Sequence, residues 1–214
     1  GIHALARLVH HGLEEEPLHP ENIEQYKDYL HLIDTESARC SNIVSNLLSF
    51  SRQQKMERKP FQINEIIQKV VSLCGHKMEL QHVHLDLELD DDLPKMQGDP
   101  GQIQQCMVNL FFNAMEAMPE GGTICVRTHW EDSKNLIRVE IEDTGVGIPK
   151  EMISQVFEPF FSTKNQDKGV GLGLSVVYGI IKEHHGSIFV KSEVGKGSNF
   201  IIRFFPIQEE MNQE

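Results

Sequence analysis

Two asparagines lie four residues apart in a segment with helical periodicity. Asn109 and Asn113 border an apolar face that predicts a helix over residues 99–118. This face consists of Ile103, Cys106, Met107, Leu110, Phe111, Ala114 and Met118. Residues four apart share one side of a helix, so both carboxamides can point into one cleft, and an amide oxygen is a hard ligand that suits Mg²⁺. Taken alone, the pair fits better with helix-edge asparagines that bond a neighbouring loop.

A carboxylate follows directly on a predicted strand. Ile137, Val139 and Ile141 alternate inward, and the same period of two places Asp143 on the inward face. A carboxylate on an apolar face is costly unless it has a strong partner, and the exocyclic amine of adenine would be one. In the run DTGVGIP, Gly145 and Gly147 let the backbone turn tightly and approach a flat ring. An Asp-Gly turn explains the first glycine but not the second.

A glycine-rich loop precedes the last predicted helix, which covers residues 172–184. Gly169, Gly171 and Gly173 open this helix, and free N–H groups at a helix N-terminus favour phosphate. The loop is neither a Rossmann fingerprint nor a P-loop, because no strand immediately precedes it and no Gly-Lys-Ser/Thr follows. The polar stretch before it carries Lys164 and Lys168, which would form a mobile lid over a polyphosphate. A solvated loop is the alternative for either lysine.

The N-terminal quarter of the chain is predicted to be helical. A first helix covers residues 2–15, and a second covers residues 21–54, where apolar side chains recur at spacings of three and four. They are Ile23, Tyr26, Leu30, Ile33, Cys40, Val44 and Leu47. Two antiparallel helices cannot bury such a stripe alone, so we expect a homodimer that forms a four-helix bundle. A hairpin folded back on the rest of the chain is the alternative.

The remainder has a mixed pattern of helices and strands. Besides the elements above, it predicts a helix over 63–75 and strands near 82–89, 123–130, 136–142, 187–192 and 198–205. Short connections favour antiparallel pairing in the central and in the final pair of strands, which predicts an α+β sandwich. We expect a helical domain at 1–56, a second domain at 57–207 and a polar tail at 208–214.

Composition limits the classes of protein that are possible. A net charge of −12 argues against binding to nucleic acid. No apolar run reaches the roughly 18 to 20 residues of a membrane span, so we expect a cytoplasmic region. The four cysteines are widely spaced, which indicates buried, reduced thiols. His82 and His84 lack a third ligand at suitable spacing, so a solvated strand face is favoured over a metal site.

In this order, the motifs resemble those of sensor histidine kinases in the GHKL ATP-binding superfamily. NLFFNAMEAM is similar to the N box, DTGVGIP to the first glycine box and FEPFFSTK to the F box. GVGLGLSVVYGIIKEHHGSI is similar to the second glycine box, and GKGSNF to the last glycine motif. The wording of the later boxes most resembles the nitrogen-regulatory branch. The resemblance implies an ATP-binding sandwich of the Bergerat type that follows a dimerisation hairpin.

The resemblance also assigns roles to particular residues. Asn113 would hold Mg²⁺ with Asn109 beside it, Asp143 would bind the adenine amine, and Ser198 would assist Asp143 through its hydroxyl or a water. Phe157 and Phe160 would anchor the lid. The ATP-binding set implied in this way is Asn113, Asp143, Gly145, Gly147, Ile148, Phe160, Lys164, Lys168, Gly169, Gly171, Leu172, Gly173, Leu174 and Ser198.

Two positions depart from the pattern of the family. Glu116 stands where some branches have a basic residue, so charge neutralisation would fall on Mg²⁺, Lys164 and Lys168. No histidine near the start is followed by the acidic residue typical of the phosphoacceptor, and we expect that acceptor just upstream. The residues compared are His3, His10, His11, His19 and His31.

The implied reaction is transfer of the γ-phosphoryl group of Mg-ATP to a histidine and then to an aspartate of a response-regulator receiver domain. Related ATPases of the superfamily carry a water-activating glutamate four residues before the magnesium-binding asparagine. Here that residue is Asn109, which predicts slow ATP hydrolysis. The alternatives are an ATPase of the chaperone, gyrase or mismatch-repair type, and a non-catalytic nucleotide-binding dimer module.

Overall fold

The computed structural model describes residues 2–14, 22–34, 37, 57–161 and 171–206. The chain divides into two compact units, Gly1–Arg52 and Gln53–Glu214. Among the described residues, none of the helices combines the length and the apolar character that a membrane crossing requires.

The N-terminal unit contains two described helices. Helix α1 covers Ile2–Glu14 and helix α2 covers residues 22–34. Any side chain larger than hydrogen at Gly12 would overlap the ring of Tyr26, so this glycine allows the two helices to touch. The remainder of the predicted second helix, including Cys40, Val44 and Leu47, lies outside the described residues.

The second unit contains a mixed five-stranded sheet and a small two-stranded sheet. The large sheet is formed by β2 (Val83–Glu88), β4 (Gly122–Glu131), β5 (Leu136–Asp143), β6 (Ser187–Glu193) and β7 (Gly197–Phe204). Its order is β2-β4-β5-β7-β6, with β2 parallel to β4 and the other neighbours antiparallel. The antiparallel pairs β4/β5 and β6/β7 confirm the predicted pairing. The small sheet pairs β1 (Lys59–Phe61) with β3 (Met96–Gly98).

Three of the described helices pack against the large sheet: α3 (Ile63–Leu80), α4 (Pro100–Ala117) and α5 (Gly173–Glu183). The core between these layers contains the predicted apolar face of α4 and the alternating inward residues of the strands. From β5 these are Ile137, Val139 and Ile141, while Arg138 and Glu140 form an ion pair on the other side of the sheet. This arrangement confirms the α+β sandwich.

The structure differs from the predicted elements at two places. Helix α3 continues to Leu80 instead of ending at Gly75, because Cys74 and Met78 keep the apolar period and are buried in the core. Strands β1 and β3 were not predicted, since three residues are too few to show an alternating pattern.

The start of α4 is fixed by hydrogen bonds at Asp99. The Asp99 carboxylate accepts from the backbone N–H groups of Gly101 and Gln102, at 2.9 and 3.2 Å, which caps the helix. The Asp99 N–H donates to Nε2 of the buried His184, at 2.9 Å. His184 directly follows α5, so this bond ties the end of α5 to the beginning of α4.

Candidate functional site

The last residue of β5 places a carboxylate inside the protein. Asp143 is only 3% exposed, as the alternating pattern predicted. The backbone N–H of Gly145 donates to Oδ1 at 2.8 Å, and the backbone N–H of Ser198 also donates to the carboxylate. Burial raises the pKa of the Asp143 carboxyl, and the two backbone donors oppose this shift without cancelling it. Within the described ranges, Asp143 has no cationic partner.

The loop after Asp143 is held from both sides. The Val146 N–H donates to the carbonyl of Ala117, at the end of α4, at 3.0 Å. The Val146 carbonyl accepts from the N–H of Gly195, in the turn between β6 and β7, at 2.8 Å. Gly147 has a φ of +72°, and a Cβ at this residue would overlap the Glu193 carbonyl oxygen. Only glycine therefore fits at this point of the loop.

The loop is also fixed by Ser192, a serine that lies outside the sequence motifs. The Ser192 hydroxyl accepts from the Ile148 N–H at 2.7 Å and lies 3.0 Å from the hydroxyl of Ser198. Ser192 and Ser198 are register partners on β6 and β7. The sequence predicts the hairpin of β6 and β7 but not which residues of the two strands face each other. Without that register, the pairing of Ser192 with Ser198 could not be predicted.

The two asparagines of α4 both carry an unsatisfied amide. The Nδ2 atoms of Asn109 and Asn113 are buried and have no hydrogen-bond partner within the described part of the chain. A buried donor without a partner costs about 1–3 kcal/mol, so a pair of them on one side of a helix indicates a place for a ligand. Because the two ends of a carboxamide have nearly the same shape, rotation can present the amide oxygen instead. The residues present therefore fit a cation ligated by oxygen.

Helix α5 begins next to Asn113. A Cβ placed on Gly173, the first residue of α5, would lie 3.9 Å from Asn113 Nδ2. Among the residues that the structure describes, none caps the N-terminus of this helix with its side chain, so its first N–H groups are available to an anion. Gly171 precedes it with a φ of +69°, while Leu172 is buried and Leu174 packs against the core. The structure thus brings the predicted magnesium ligand and the predicted phosphate-binding helix end together.

The aromatic residues before the predicted lid have different environments. The Phe157 ring centroid lies 5.7 Å from that of Tyr178 and 6.5 Å from that of Phe200, so Phe157 is anchored in the core. Phe160 is 69% exposed and has a φ of +66°. Lys164, Lys168 and Gly169 lie outside the described residues, so their place in a lid stays a prediction.

Three of the four cysteines behave as predicted. Cys74, Cys106 and Cys125 are free and buried, and burial raises the pKa of each thiol, while Cys40 lies outside the described residues. On and beside β2, His84 and His82 are exposed. In the described part of the chain, no group of three or more potential metal ligands occurs.

Comparison with known proteins identifies the class. Residues 98–209 match the family described as "Histidine kinase-, DNA gyrase B-, and HSP90-like ATPase". The chain belongs to this family, which is an ATP-binding one.

Named relatives narrow the class further. The chain is 39% identical over 187 residues to the sensor kinase CckA of Brucella abortus (81% of this chain, 20% of the relative). It is 37% identical over 175 residues to sporulation kinase C of Bacillus subtilis (81% and 40%) and 32% identical over 167 residues to the sensor histidine kinase ZraS of Escherichia coli K12 (78% and 35%). The chain therefore spans about a fifth to two fifths of the length of these relatives.

Solved structures of histidine kinases are also similar to this chain. The catalytic domain of the histidine kinase ThkA is 35% identical, with a TM-score of 0.62 over 70% of this chain and 95% of that one. ThkA in complex with the response regulator protein TrrA is 28% identical, with a TM-score of 0.74 over 98% and 58% of the two chains. The predicted resemblance to sensor histidine kinases is confirmed, while its nitrogen-regulatory branch stays a prediction.

Proposed function

We propose that this chain is the ATP-binding catalytic region of a sensor histidine kinase that transfers the γ-phosphoryl group of Mg-ATP to a histidine. One observation supports this above all: Asn109 and Asn113 carry buried amides that have no partner among the described residues, and Asn113 lies beside the N-terminus of α5, which no described side chain caps. In this proposal Asn113 holds Mg²⁺, which would neutralise phosphate charge, and the first N–H groups of α5 bind the phosphates. Lys164 and Lys168 would add positive charge from the lid.

Asp143 supplies base recognition in this proposal. Its carboxylate can only accept hydrogen bonds when ionised, and the adenine amine is a donor. The glycine loop at Gly145 and Gly147 would bring backbone close to the flat ring. The site therefore pairs a base-binding end, at the end of β5, with a phosphate-binding end, at α4 and α5.

The choice of kinase over ATPase rests on Asn109. A carboxamide cannot take a proton from water, whereas the glutamate of related ATPases can. Bound ATP would therefore persist until an imidazole nucleophile arrives. Positioning and charge neutralisation would provide most of the catalysis.

Partners follow from the surface and from a structural neighbour. Within the N-terminal unit, four large apolar side chains are exposed: Leu8 (55%), Leu13 (51%), Ile23 (43%) and Leu30 (53%). Their exposure supports a homodimer that forms through these helices. ThkA was solved with a response regulator protein, and we infer a receiver domain as the final phosphoryl acceptor here. The use of ATP as the phosphoryl donor supports a cytoplasmic location for this region.

The proposal is tested with γ-labelled ATP and a dimerisation hairpin from a related kinase that carries the acceptor histidine. We expect acid-labile label on the hairpin, slow release of phosphate, and no label when Asn113→Ala replaces the wild-type chain. Rapid phosphate release without labelled hairpin would instead identify an ATPase. ATP binding with neither outcome would leave a nucleotide-binding module.

A further inference from the structure

The Ser192 hydroxyl is the centre of a small hydrogen-bond network at the base-binding end of the site. It accepts from the backbone N–H of Ile148, at 2.7 Å, and lies 2.8 Å from the carbonyl oxygen of Gly197 and 3.0 Å from the hydroxyl of Ser198. These three neighbours belong to the loop after β5 and to β7. Ser192 itself lies on β6, so one side chain links three segments around Asp143.

The chemistry of the neighbours sets the direction of each bond. A hydroxyl has one hydrogen and two acceptor lone pairs. The Gly197 carbonyl can only accept, so it takes the single Ser192 hydrogen. The Ile148 N–H can only donate, so it takes one lone pair of Ser192. The contact with Ser198 is then made by the hydrogen of Ser198, which donates to the remaining lone pair of Ser192.

This direction determines what Ser198 can offer to a ligand. Ser198 is buried, at 5% exposure, and is the register partner of Asp143 across β5 and β7. Its hydrogen is committed to Ser192, and its backbone N–H to the Asp143 carboxylate. Only acceptor lone pairs of the Ser198 hydroxyl remain. Together with the carboxylate oxygens of Asp143, they form an acceptor-only surface.

We propose that Ser192 is a positioning residue that selects the base: by holding the hydrogen of Ser198, it keeps the base-binding end free of hydroxyl donors. This inference rests on the proposed nucleotide site. An acceptor-only surface favours a base whose edge carries an exocyclic amine, such as adenine. It disfavours hypoxanthine, which carries a carbonyl oxygen at the same place and would meet two acceptors.

The test compares Mg-ADP with Mg-IDP, whose bases differ in the group at the 6-position, an amine against a carbonyl oxygen, and in the hydrogen that only hypoxanthine carries on N1. Calorimetric affinities are measured for the wild-type chain, Ser192→Ala, Ser198→Ala and the double variant. In Ser192→Ala the Ser198 hydroxyl can rotate and donate to the IDP carbonyl. We expect the preference for ADP over IDP to narrow by about tenfold, from the gain of one hydrogen bond to IDP. Ser192→Thr keeps the hydroxyl and should keep the preference.

The double variant separates base selection from simple damage to the loop. Because it has no Ser198 hydroxyl, the gain in relative IDP affinity should disappear. Ser187→Ala, at the other end of β6, is the matched control and should bind as the wild type does. Equal weakening of both nucleotides in Ser192→Ala, or the same preference in the single and double variants, would overturn the inference. Failure of the wild-type chain to bind ADP at all would instead overturn the proposed function.

Discussion

At the scale of single residues, Asp143 shows a conflict between stability and binding. Among the described residues, the buried Asp143 carboxylate has two backbone donors and no cation, which is costly, and the raised pKa of Asp143 reflects that cost. A polar group that harms the unliganded fold but faces a ligand is typical of a functional site. The sequence pattern was sufficient to place Asp143 inward, because the period of a strand determines the side of the sheet.

Asp143→Asn should weaken Mg-ADP binding without weakening the fold. Loss of a charged hydrogen bond to the adenine amine would reduce affinity by about 1.5–3 kcal/mol. The melting temperature of the unliganded protein should be unchanged or higher, since a buried charge is removed. Calorimetry and thermal unfolding of the same samples measure both effects. Unchanged affinity would contradict the assigned role of Asp143.

The raised pKa of Asp143 also predicts how the difference in stability between the wild type and Asp143→Asn depends on pH. The folded state holds this proton more tightly than the unfolded state, whose value is near 3.8. The wild type therefore loses stability as pH rises from that value through the folded pKa. Asp143→Asn does not titrate and lacks this loss. The stability of Asp143→Asn relative to the wild type should therefore increase as pH rises from the unfolded-state value through the folded-state pKa. A difference between the two proteins that is constant from pH 3 to 7 would contradict the assignment.

At the scale of elements, the site depends on how a loop is clamped. Gly147→Ala should lower the free energy of unfolding by about 1–3 kcal/mol or more, because alanine disfavours a φ of +72° and would overlap the Glu193 carbonyl. The matched control is Gly75→Ala in α3, where a Cβ would meet nothing within 4 Å. There the change should stabilise by up to about 1 kcal/mol through helix propensity. Denaturant unfolding of both variants checks this, and similar effects at the two glycines would be inconsistent with the clamp.

His184 links the end of α5 to the start of α4, and its titration predicts a second dependence of stability on pH. Its Nε2 accepts from the Asp99 N–H, and its Nδ1–H donates to the Ile180 carbonyl, at 2.8 Å, so the ring is held neutral. Burial lowers the pKa of His184 below its ordinary value of 6.5, although the Ile180 carbonyl opposes the shift. Its contribution to stability is therefore present above pH 6.5 and is lost progressively as pH falls below it.

His184→Gln, which does not titrate, should lose less stability than the wild type between pH 7 and pH 5. His184→Ala should cost about 1–3 kcal/mol at pH 7, because the buried Asp99 N–H loses its acceptor. Denaturant unfolding at several pH values measures both. The exposed His84→Gln serves as the control and should follow the wild type. If the free energy of unfolding changed with pH in the same way for the wild type and His184→Gln, the proposed effect of His184 titration on stability would be refuted.

Much of the fold could be predicted at this scale, for physical reasons. The apolar periodicity of long segments such as α4 and β5 is sufficient to predict a helix or a strand, and the short connections predict the antiparallel pairs. Strands β1 and β3 are set by tertiary pairing, and the roles of Ser192 and His184 arise from contacts that bring distant segments together. Spacing along the chain does not contain that information. The family motifs identified the ligand class, but the unsatisfied amides of Asn109 and Asn113 became visible only in the folded chain.

At the scale of the whole molecule, the N-terminal helices should hold two copies together. Ile23 and Leu30 lie seven residues apart on α2 and are both exposed. Leu30→Glu should shift the chain from dimer to monomer in analytical ultracentrifugation while Mg-ADP affinity stays the same. Gln25→Glu adds the same charge at an exposed polar position and should remain dimeric. A monomeric wild type would refute the proposed homodimer without affecting the nucleotide site.

The most direct test of the whole account is a calorimetric titration of the wild-type chain with Mg-ADP, with Mg-GDP as the comparison. We expect saturable binding of one Mg-ADP per chain and much weaker binding of Mg-GDP. Absence of saturable Mg-ADP binding would contradict the central claim that the ends of β5, α4 and α5 form an adenine-nucleotide site.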